Sequence, residues 1–336
     1  MAQKHNIKQC LLTGSSGFVG QRLRARLQQL QLKTRLLQRK ATALMSSEEL
    51  QLWDFGATEL PEGVLGGVDV LFHLAGVAHD VRNDKTEVDT YRTINVLATK
   101  KLAEQAVREN VRRIVFVSST KAGGTPLAGR CATEIDQYEP EGIYGKTKRE
   151  AELALLEIAD KTDLQVSIVR PTLVYGPGLK GNLLLMLDAI ARGHFPPLPP
   201  TDNRRSMIHI DDLVELLLLV AEIPEASGEI FIAADGQNYT SRQIYEIMCS
   251  GLGKKIPGWY MPKSLFIVLA HFGDQAGKLM NFPFDSYRLQ KLLGDECYSA
   301  EKMHQKLGFS ATRNLADSIG EIIAKYRCQQ DEHVAR

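Results

Sequence analysis

The first half of the chain alternates short apolar runs with longer amphipathic stretches, and this alternation restricts the fold more than any other feature. The apolar runs with the length of strands are Ile7–Thr13, Thr34–Leu37, Leu50–Asp54, Val68–Leu74, Arg113–Ser118 and Gln165–Val169. The stretches with helical periodicity between them are Val19–Leu30, Asp89–Glu109 and Lys146–Ala159. Such alternation is typical of a parallel sheet with helices on both faces. We therefore expect an α/β fold, a Rossmann-type doubly wound parallel sheet.

The sequence changes character after residue 170. Residues 194–202 contain four prolines and cannot form regular structure. The elements expected beyond them are strands at Ser206–Ile210 and Ile230–Ala233 and helices near Asp211–Ala221 and Ser241–Leu252. Residues 171–336 are therefore predicted to form mainly a smaller mixed α/β C-terminal lobe that binds substrate, with some segments returning to the large sheet.

Composition argues against several function classes. The 41 Lys and Arg residues balance 40 Asp and Glu residues, which leaves a formal net charge of +1. The chain as a whole therefore has no basic footprint for nucleic acid or for an acidic membrane. The most apolar runs, Leu213–Ala221 and Ser264–His271, are too short to span a bilayer, so we expect no integral membrane segment. Buried helices explain both runs, although the second is also compatible with contact at a membrane surface.

The cysteines and the amino terminus indicate a compartment. The five cysteines are odd in number and scattered, without CxxC spacing: Cys10, Cys131, Cys249, Cys297 and Cys328. This pattern predicts neither a disulfide framework nor a metal site, and it favours a reducing compartment. The first residues run directly into a strand-like segment with no visible signal peptide, so a cytoplasmic location is expected.

A glycine-rich turn joins the first expected strand to the first expected helix. Gly14, Gly17 and Gly20 follow the strand with GxxGxxG spacing, and Phe18 and Val19 open the helix. Glycine permits a tight turn and a close approach of backbone to a pyrophosphate, and the helix N terminus offers free N–H donors. In this context we predict that these five residues bind a dinucleotide, within an NAD(P)-binding domain over residues 1–170; plain turn chemistry is the alternative.

The end of the second expected strand indicates which dinucleotide is bound. An Asp or Glu there would bond the 2′-hydroxyl of NAD, but Gln38, Arg39 and Lys40 stand in its place. A guanidinium suits a 2′-phosphate, so Arg39 favours NADP(H) slightly over NAD, unless this is only an exposed basic loop. Asp54, after the third strand, is predicted to accept a hydrogen bond from the adenine amino group or else to cap a turn.

A tyrosine and a lysine four residues apart form a candidate proton-transfer pair. Tyr144 and Lys148 fall on one face of a helix, where the ammonium lowers a phenol pKa that is ~10 in water. The phenol could then pass a proton near neutral pH. YxxxK also occurs by chance as a surface aromatic beside a lysine. The catalytic interpretation is favoured by hydroxyls at the end of a strand, where ligands bind in doubly wound sheets; Ser119 is chosen, with Ser118 and Thr120 as rivals.

Together the motifs resemble the extended short-chain dehydrogenases/reductases, and more closely their NAD-dependent epimerase/dehydratase branch. They are Thr13-Gly14-xx-Gly17-Phe18-Val19-Gly20, His73-Leu74-Ala75-Gly76, Ser118-Ser119, Tyr144-xxx-Lys148 and Arg170-Pro171-xx-Val174-Tyr175-Gly176-Pro177. The resemblance implies hydride transfer between a nicotinamide and a sugar carbon, usually C4 of a nucleotide-diphosphate sugar. It implies that Tyr144 is the acid/base, that Lys148 binds the ribose and tunes the tyrosine, and that Ser119 binds the reacting oxygen.

The resemblance also extends the set of candidate ligands. Leu74, Ala75 and Pro171 are added to the expected cofactor contacts, together with Tyr144 and Lys148 themselves. Asn95 is added as a residue that orients the lysine through water, or else as a helix residue with no role.

Two further residues are expected to bind the substrate. The segment 204–213 resembles the family segment whose arginine clamps the diphosphate, and its register selects Arg205. A guanidinium binds phosphate in a bidentate manner, which suits that role. The alternative is a surface arginine paired with Asp202 or Asp211. Asn182, after Gly181, is expected to contact the nucleotide base.

The sequence departs from the epimerase pattern in two places. Lys121-Ala122-Gly123-Gly124 stands where the family often has Val-Tyr-Gly, and the acid after the second strand is missing. Epimerases retain NAD through turnover, whereas reductases exchange their cofactor. The basic residues Arg39 and Lys40, which stand where the acid of an NAD site is expected, therefore favour a reductase. A homodimer is also expected, through pairing of the long helices Asp89–Glu109 and Lys146–Ala159 as in relatives.

The predicted function is therefore NAD(P)-dependent reduction of a 4-keto UDP-sugar, of the UDP-N-acetylhexosamine type, in O-antigen or surface polysaccharide biosynthesis. A UDP-glucose or UDP-N-acetylglucosamine 4-epimerase is the first alternative, and a non-catalytic dinucleotide-sensing protein is the alternative from another class. A hydroxysteroid or flavonoid ketone would be a different substrate class, against which Arg205 counts. The carrier of the glycosyl diphosphate, nucleotide or lipid, stays open because of the apolar run Leu265–Ala270.

Overall fold

The computed structural model describes residues 7–56, 59–78, 85–140, 142–276 and 284–334. The strands are β1 (Gln9–Thr13), β2 (Lys33–Gln38), β3 (Glu48–Leu52), β4 (Val70–His73), β5 (Arg113–Val117), β6 (Gln165–Pro171), β7 (Leu173–Tyr175), β8 (Arg205–His209), β9 (Glu229–Ala233) and β10 (Asn238–Tyr239). The helices are α1 (Phe18–Gln29), α2 (Lys85–Arg92), α3 (Ala98–Arg108), α4 (Gly142–Asp160), α5 (Gly181–Ala191), α6 (Ile210–Glu222), α7 (Ser241–Gly251), α8 (Lys263–Ala276), α9 (Ser286–Leu293), α10 (Glu301–Leu307) and α11 (Leu315–Val334).

Seven strands form one parallel sheet in the order β3-β2-β1-β4-β5-β6-β9. The chain builds outward from β1 to β3, then crosses back and builds in the other direction from β4. The order therefore reverses between β1 and β4, and in such sheets ligands bind beyond the carboxyl ends of the strands at that point. The predicted doubly wound α/β fold is confirmed, and each predicted strand is present with its ends shifted by one or two residues.

Alternation along the central strands separates two cores. Cys10 and Leu12 of β1 point into one apolar cluster, whereas Leu11 points into another on the opposite side of the sheet. Both faces of β1 are therefore buried, which is why the strand reads as a continuous apolar run rather than as an alternating one. Helices cover both faces of the central strands, whereas the edge strand β3 is largely exposed.

A smaller sheet of three strands follows, in the order β10-β8-β7. β7 and β8 are parallel, whereas β8 and β10 are antiparallel. This sheet shares a third apolar cluster with α5, α7 and α11. Between its strands the chain returns to the large sheet, because β9 pairs with β6. The small sheet also lies close to the carboxyl end of β6 in the chain, because β7 begins two residues after β6 ends.

Two glycines allow the turn after β1 to close. Gly14 has a φ of +71°, and a Cβ there would lie 2.7 Å from the backbone nitrogen of Ala75, in the loop after β4. Gly20 lies in the first turn of α1, and a Cβ there would lie 2.0 Å from the carbonyl oxygen of Gly14. The spacing of the glycines thus reflects two backbone contacts that a side chain would prevent.

The expectation that the cysteines form no disulfide was wrong for one pair. The structure joins Cys131 to Cys297 by a disulfide, while Cys10, Cys249 and Cys328 are free thiols. The two half-cystines are 166 residues apart in sequence, so their spacing gave no signal. Backbone hydrogen bonds between Ala132 and residues 297–299 bring these two segments together. Within the described ranges, no helix combines the length and the apolar character that crossing a membrane requires.

We predict that Gly20→Ala lowers the free energy of unfolding by about 1–3 kcal/mol, because the added methyl group overlaps the Gly14 carbonyl. Gly320→Ala is the matched control, since Gly320 also lies in a helix but no atom lies within 4 Å of its Cβ position. The control should gain about 1 kcal/mol from helix propensity. Urea denaturation measures both, and equal effects of the two variants would contradict the close approach.

Candidate active site

The amino-terminal turn of α4 rests against the segment that follows β5. Residues Thr120–Gly123 form a short 3₁₀ turn there, and Gly145 of α4 packs on the carbonyl oxygen of Lys121. A Cβ at Gly145 would lie 2.7 Å from that oxygen, so glycine is needed for the approach. Tyr144 is consequently held beside the carboxyl end of β5, where it is half-buried and borders a cavity.

Lys148 lies one turn further along α4 and is buried. Its Nζ donates a hydrogen bond to the carbonyl oxygen of Val117 at 2.7 Å and lies 3.9 Å from the centroid of the Phe116 ring. Burial lowers the pKa of the Lys148 ammonium to about 7, although the nearby Glu152 carboxylate acts in the opposite direction. The structure therefore places Tyr144 and Lys148 together at the end of β5 and holds the lysine near its titration point at neutral pH.

The three candidate hydroxyls after β5 have different partners. Ser119 Oγ accepts a hydrogen bond from the backbone nitrogen of Lys121 at 3.2 Å and so caps the 3₁₀ turn. Thr120 is buried and hydrogen-bonded to Tyr298. The Ser118 hydroxyl is buried and has no hydrogen-bond partner among the described residues. The choice of Ser119 as the group that binds the reacting oxygen stays a prediction, and Ser118 has the free hydroxyl.

Asn95 connects the loop after β4 to α4. It lies in a π-helical turn, Thr93–Leu97, that joins α2 to α3. Its Oδ1 accepts from the backbone nitrogen of Val77 at 2.8 Å, and its Nδ2 donates to the carbonyl oxygen of Val77 and to Thr147 Oγ1, each at 3.1 Å. Turns of this kind are frequent at functional sites. Asn95 therefore fixes the position of the loop beside the helix that carries Tyr144 and Lys148.

Sequence reasoning missed the contacts of His73, a residue that it had quoted only within a motif. This histidine links the ends of β1 and β4 to α3. Thr13 Oγ1 accepts hydrogen bonds from the backbone nitrogens of Leu74 and Ala75, so its hydroxyl donates to His73 Nδ1 at 2.7 Å. Nε2 must then carry the proton, which it donates to Thr99 Oγ1 at 2.8 Å.

The same histidine is held neutral by its surroundings. Burial, and then the positive charge of Lys148, lower the pKa of His73 to about 3. The hydrogen bonds and the pKa thus agree on a neutral imidazole. The His-Leu-Ala-Gly motif was the signal that could have pointed to this buried histidine, because the motif stands at the end of β4, where the strand order of the sheet reverses.

The glycine turn after β1 contacts the segment Gln38–Lys40 at the end of β2. Ser15 Oγ donates to Gln38 Oε1 at 2.7 Å, and Gln38 Nε2 donates to the carbonyl oxygen of Lys40 at 2.9 Å. Arg39 and Lys40 are exposed. No side chain caps α1, since Gly17 is its N-cap residue, so the helix N terminus is open to a phosphate.

These features fit a dinucleotide. The turn has no Cβ atoms where Gly14 and Gly20 stand, and the amino end of α1 offers uncapped N–H groups. Asp54 is exposed, and its Oδ1 accepts from the backbone nitrogen of Gly56 at 3.2 Å, so it caps a turn as the alternative interpretation had it. A contact with adenine stays a prediction for this residue, as do cofactor contacts for Leu74, Ala75 and Pro171.

A cavity of about 380 Å³ lies beside Tyr144. Lys121 and Glu296 face it from opposite segments and form an ion pair, with Nζ and Oε1 at 2.8 Å. Arg205 Nη2 pairs with the other Glu296 oxygen at 3.2 Å. Burial alone would raise the pKa of the Glu296 carboxyl, but Arg205 and Lys121 outweigh burial and hold that pKa below its usual range.

A second cavity of about 520 Å³ adjoins the first, and Lys291 lines both. Arg205 and Asn182 both line this second cavity, so the structure brings these two predicted substrate ligands together. Its other walls are mainly apolar, and they include Leu183, Met186, Phe195, Ile244, Phe284 and Leu292. Arg205 is buried, and it pairs with Glu296 rather than with Asp202 or Asp211.

A buried ion pair fixes α4 on the sheet. Arg170, near the end of β6, donates from Nε and Nη2 to the two carboxylate oxygens of Glu152, at 2.9 and 2.5 Å. Each side chain is only 1% exposed. Bidentate pairing of this kind is directional as well as strong. Because Glu152 stands one helical turn beyond Lys148, the pair determines which face of α4 meets the sheet.

A family model described as "NAD dependent epimerase/dehydratase family" matches residues 10–234, which is more than half of the chain. The chain belongs to this family. It is accordingly an enzyme of the short-chain dehydrogenase/reductase type, as the sequence predicted. The matched residues run from β1 to the end of β9 and so cover the whole large sheet.

Two curated relatives are similar along most of the chain. One is a UDP-glucose 4-epimerase of Vibrio cholerae, 32% identical over 280 residues, which cover 81% of this chain and 83% of the relative. The other is the N-acetyl-alpha-D-glucosaminyl-diphospho-ditrans,octacis-undecaprenol 4-epimerase of Escherichia coli O157:H7. It is 27% identical over 319 residues, which cover 92% of each chain.

Solved structures share the fold. MoeE5 in complex with UDP-glucose and NAD superposes with a TM-score of 0.76 at 23% identity, covering 96% of this chain and 99% of that one. The UDP-glucose 4-epimerase of Thermotoga maritima, with UDP-glucose, gives a TM-score of 0.75 at 19% identity, covering 96% and 99%. These similarities extend the family match to the architecture of nearly the whole chain.

We predict that the Lys148 ammonium makes stability depend on pH above neutrality. The folded pKa is about 7 and the unfolded value is ~10.4, so between these values the unfolded chain binds a proton that the folded protein lacks. The unfolding free energy of the wild type, relative to Lys148→Met, should therefore rise with pH from 7 to 10, by up to about 1.4 kcal/mol per unit. Below pH 7 the difference should stay level.

Urea denaturation of both proteins at pH 6, 7.5 and 9 measures this dependence. Subtracting the variant removes the contribution of every other titrating group that is unchanged between them. A difference that is flat over the whole range would show that Lys148 keeps an ordinary pKa in the folded protein.

Proposed function

We propose that this enzyme transfers hydride at C4 of a glycosyl diphosphate and acts as a 4-epimerase of a UDP-sugar or a related glycosyl diphosphate. The observation that carries the proposal is the position of Tyr144 on the wall of a cavity that Lys291 also lines. Arg205 lies beyond the same wall and bonds the Lys291 carbonyl oxygen. A tyrosine able to transfer a proton thus shares a pocket with cationic side chains, an arrangement that suits a sugar followed by a diphosphate.

A bound nicotinamide dinucleotide supplies the acceptor and the donor of hydride. The glycine turn and the amino end of α1 would hold its pyrophosphate, and Lys148 its ribose. Tyr144 takes the proton from the C4 hydroxyl when that carbon is oxidised and returns a proton to the oxygen when the ketone is reduced. The Ser119 hydroxyl donates a hydrogen bond to the same oxygen and stabilises its developing negative charge.

Similarity to two 4-epimerases supports epimerisation over the net reduction that the sequence favoured. A 4-keto-sugar reductase is the second candidate, and one observation favours it. Arg39 is exposed at the carboxyl end of β2, next to Gln38, where an enzyme that retains NAD would be expected to carry an acid. The same observation supports NADP(H) over NAD.

The substrate is proposed to carry an N-acetylhexosamine of the kind used in O-antigen or surface polysaccharide synthesis. The Escherichia coli relative is named for an N-acetylglucosaminyl diphosphate on a lipid, and the Vibrio relative for UDP-glucose. Three further expectations from the sequence are retained as proposals. They are the division at residue 170 into a dinucleotide-binding part and a mainly substrate-binding part, a homodimer, and a cytoplasmic location.

We predict that Tyr144→Phe reduces turnover of UDP-N-acetylglucosamine by about 10²–10⁴-fold, because the general acid/base is lost. Dinucleotide affinity should change little. Tyr326→Phe is the matched control, since it removes a hydroxyl that bonds Asp188, and neither residue lines the first cavity. Interconversion of the sugar epimers, followed by NMR, measures the loss. Full turnover in Tyr144→Phe would exclude the mechanism.

We expect the native enzyme to retain NAD(H), visible by native mass spectrometry, and to interconvert UDP-sugars without net NADPH consumption. If the reductase is the correct function, the site will instead be empty after purification, and a UDP-4-keto-sugar will oxidise NADPH stoichiometrically. In that case Arg39→Ala should weaken NADPH binding by about tenfold and leave NADH binding unchanged, since only NADPH has the 2′-phosphate.

A further inference from the structure

One surface of the enzyme exposes a group of large apolar side chains. It comprises α8 and the segment before it, and its members are Ile256, Trp259, Tyr260, Leu265, Val268 and Phe272, which we call the α8 surface. Trp259 and Val268 are each 62% exposed. Leu265, Val268 and Phe272 have the spacing i, i+3, i+7, so they lie on one side of the helix. A concentration of this kind marks an interaction site more often than scattered exposed residues do.

The charge around this surface is mainly positive. Residues 254–273 contain Lys254, Lys255 and Lys263 but no Asp or Glu, and all three lysines are exposed. The first acid beyond, Asp274, is engaged by Ser286, whose hydroxyl and backbone nitrogen both donate to it. The chain as a whole is nearly neutral, so this cationic segment is a local feature that the net charge conceals.

The α8 surface adjoins the second cavity. Phe266, on the buried side of α8, packs on Phe284 with ring centroids 6.0 Å apart, and Phe284 lines that cavity. The segment before α8 is hydrogen-bonded to the proline-rich segment, from the Met261 nitrogen to the Pro197 carbonyl oxygen at 3.0 Å. Phe195 of the same proline-rich segment also lines the cavity. The elements that carry the exposed apolar side chains therefore also support the apolar walls of the cavity.

We propose that the α8 surface docks the enzyme on an anionic phospholipid bilayer, from which a lipid-linked glycosyl diphosphate enters the second cavity. Tryptophan and tyrosine prefer the membrane–water interface, and lysines beside an apolar face attract anionic headgroups. The lipid chain would lie along the apolar walls, the diphosphate at Arg205 and Lys291, and the sugar beside Tyr144. The choice of substrate rests on the proposed function, whereas the docking surface does not.

A second copy of the chain is a less suitable occupant. Two copies that met through this surface would bring six lysines together, three from each, against one Asp274 from each copy, which Ser286 already engages. A bilayer that contains phosphatidylglycerol supplies the opposite charge over the whole surface.

Flotation with vesicles tests the docking directly. We expect the full-length wild type to float with vesicles of 70% phosphatidylcholine and 30% phosphatidylglycerol, and at least tenfold less with pure phosphatidylcholine or in 0.5 M salt. Leu265→Gln with Val268→Gln should reduce flotation at least tenfold. The matched control is Leu44→Gln with Ile135→Gln, which removes two other exposed apolar side chains and should float like the wild type.

The cationic contribution has its own pair of variants. Lys254→Gln with Lys255→Gln should reduce flotation with the anionic vesicles, whereas Lys8→Gln with Lys33→Gln, which removes two other exposed lysines, should not. Wild-type protein that stays at the bottom of the gradient would overturn the proposal. So would equal flotation of the α8 variant and its control, or a monomer–dimer change confined to the α8 variant together with no vesicle binding.

Turnover separates the docking from the proposed function. We expect the α8 double variant to convert water-soluble UDP-N-acetylglucosamine at the wild-type rate. On polyprenol-linked N-acetylglucosaminyl diphosphate in anionic vesicles it should be at least tenfold slower than the wild type. Equal rates for both proteins in vesicles would overturn the delivery of a lipid-linked substrate. Absence of turnover by the wild type on both substrates would refute the proposed function, and flotation would still decide whether the surface binds a bilayer.

Discussion

The ion pair between Arg170 and Glu152 is the interaction on which the arrangement of the site depends. Glu152, Lys148 and Tyr144 follow one another at four-residue intervals along α4, so they lie on one side of the helix. Fixing Glu152 against β6 therefore fixes the rotation of the helix that presents the other two. The Arg170 guanidinium also lies close to Gly123, where a Cβ would be 3.1 Å from Nη1. Removing either partner of a buried pair costs about 3–5 kcal/mol, because a charge is left without compensation.

Burial has opposite consequences for the charged groups around this helix. Lys148 contacts a carbonyl oxygen and an aromatic ring, and burial lowers the pKa of its ammonium in spite of them. Glu152 and Arg170 compensate each other in the same interior. His73 avoids the cost by staying neutral between two threonines. The interior thus keeps full charges where they hold elements together and disfavours them at Lys148 and His73.

The sequence predicted the large sheet well because each central strand is buried on both faces and so appears as an apolar run between helices. The common placement of Tyr144 and Lys148 was also predictable, since both stand on one helix at a spacing that brings them together locally, whereas their catalytic role stays a prediction. The partner of Arg205 could not be found in this way. Glu296 lies 91 residues away, and it reaches Arg205 through the return of the chain from α9, which no local pattern indicates.

The disulfide and the tautomer of His73 were missed for the same reason. Cys131 and Cys297 belong to segments that meet only through backbone hydrogen bonds of the folded chain. The role of His73 depends on which hydroxyl donates and which accepts, and that follows from two amide groups of the neighbouring loop. Contacts that depend on the tertiary arrangement of distant segments leave no periodicity in the sequence.

The family match ends at residue 234, whereas one wall of both cavities comes from residues 284–296. Part of the lining of both cavities therefore comes from outside the stretch that defines the family, although Arg205 and Asn182 lie within it. Residues 284–296 contribute no strand to the large sheet, so changes in this stretch leave the strands of that sheet intact. Such a division lets the shape of the two cavities vary while the sheet that supports them is kept.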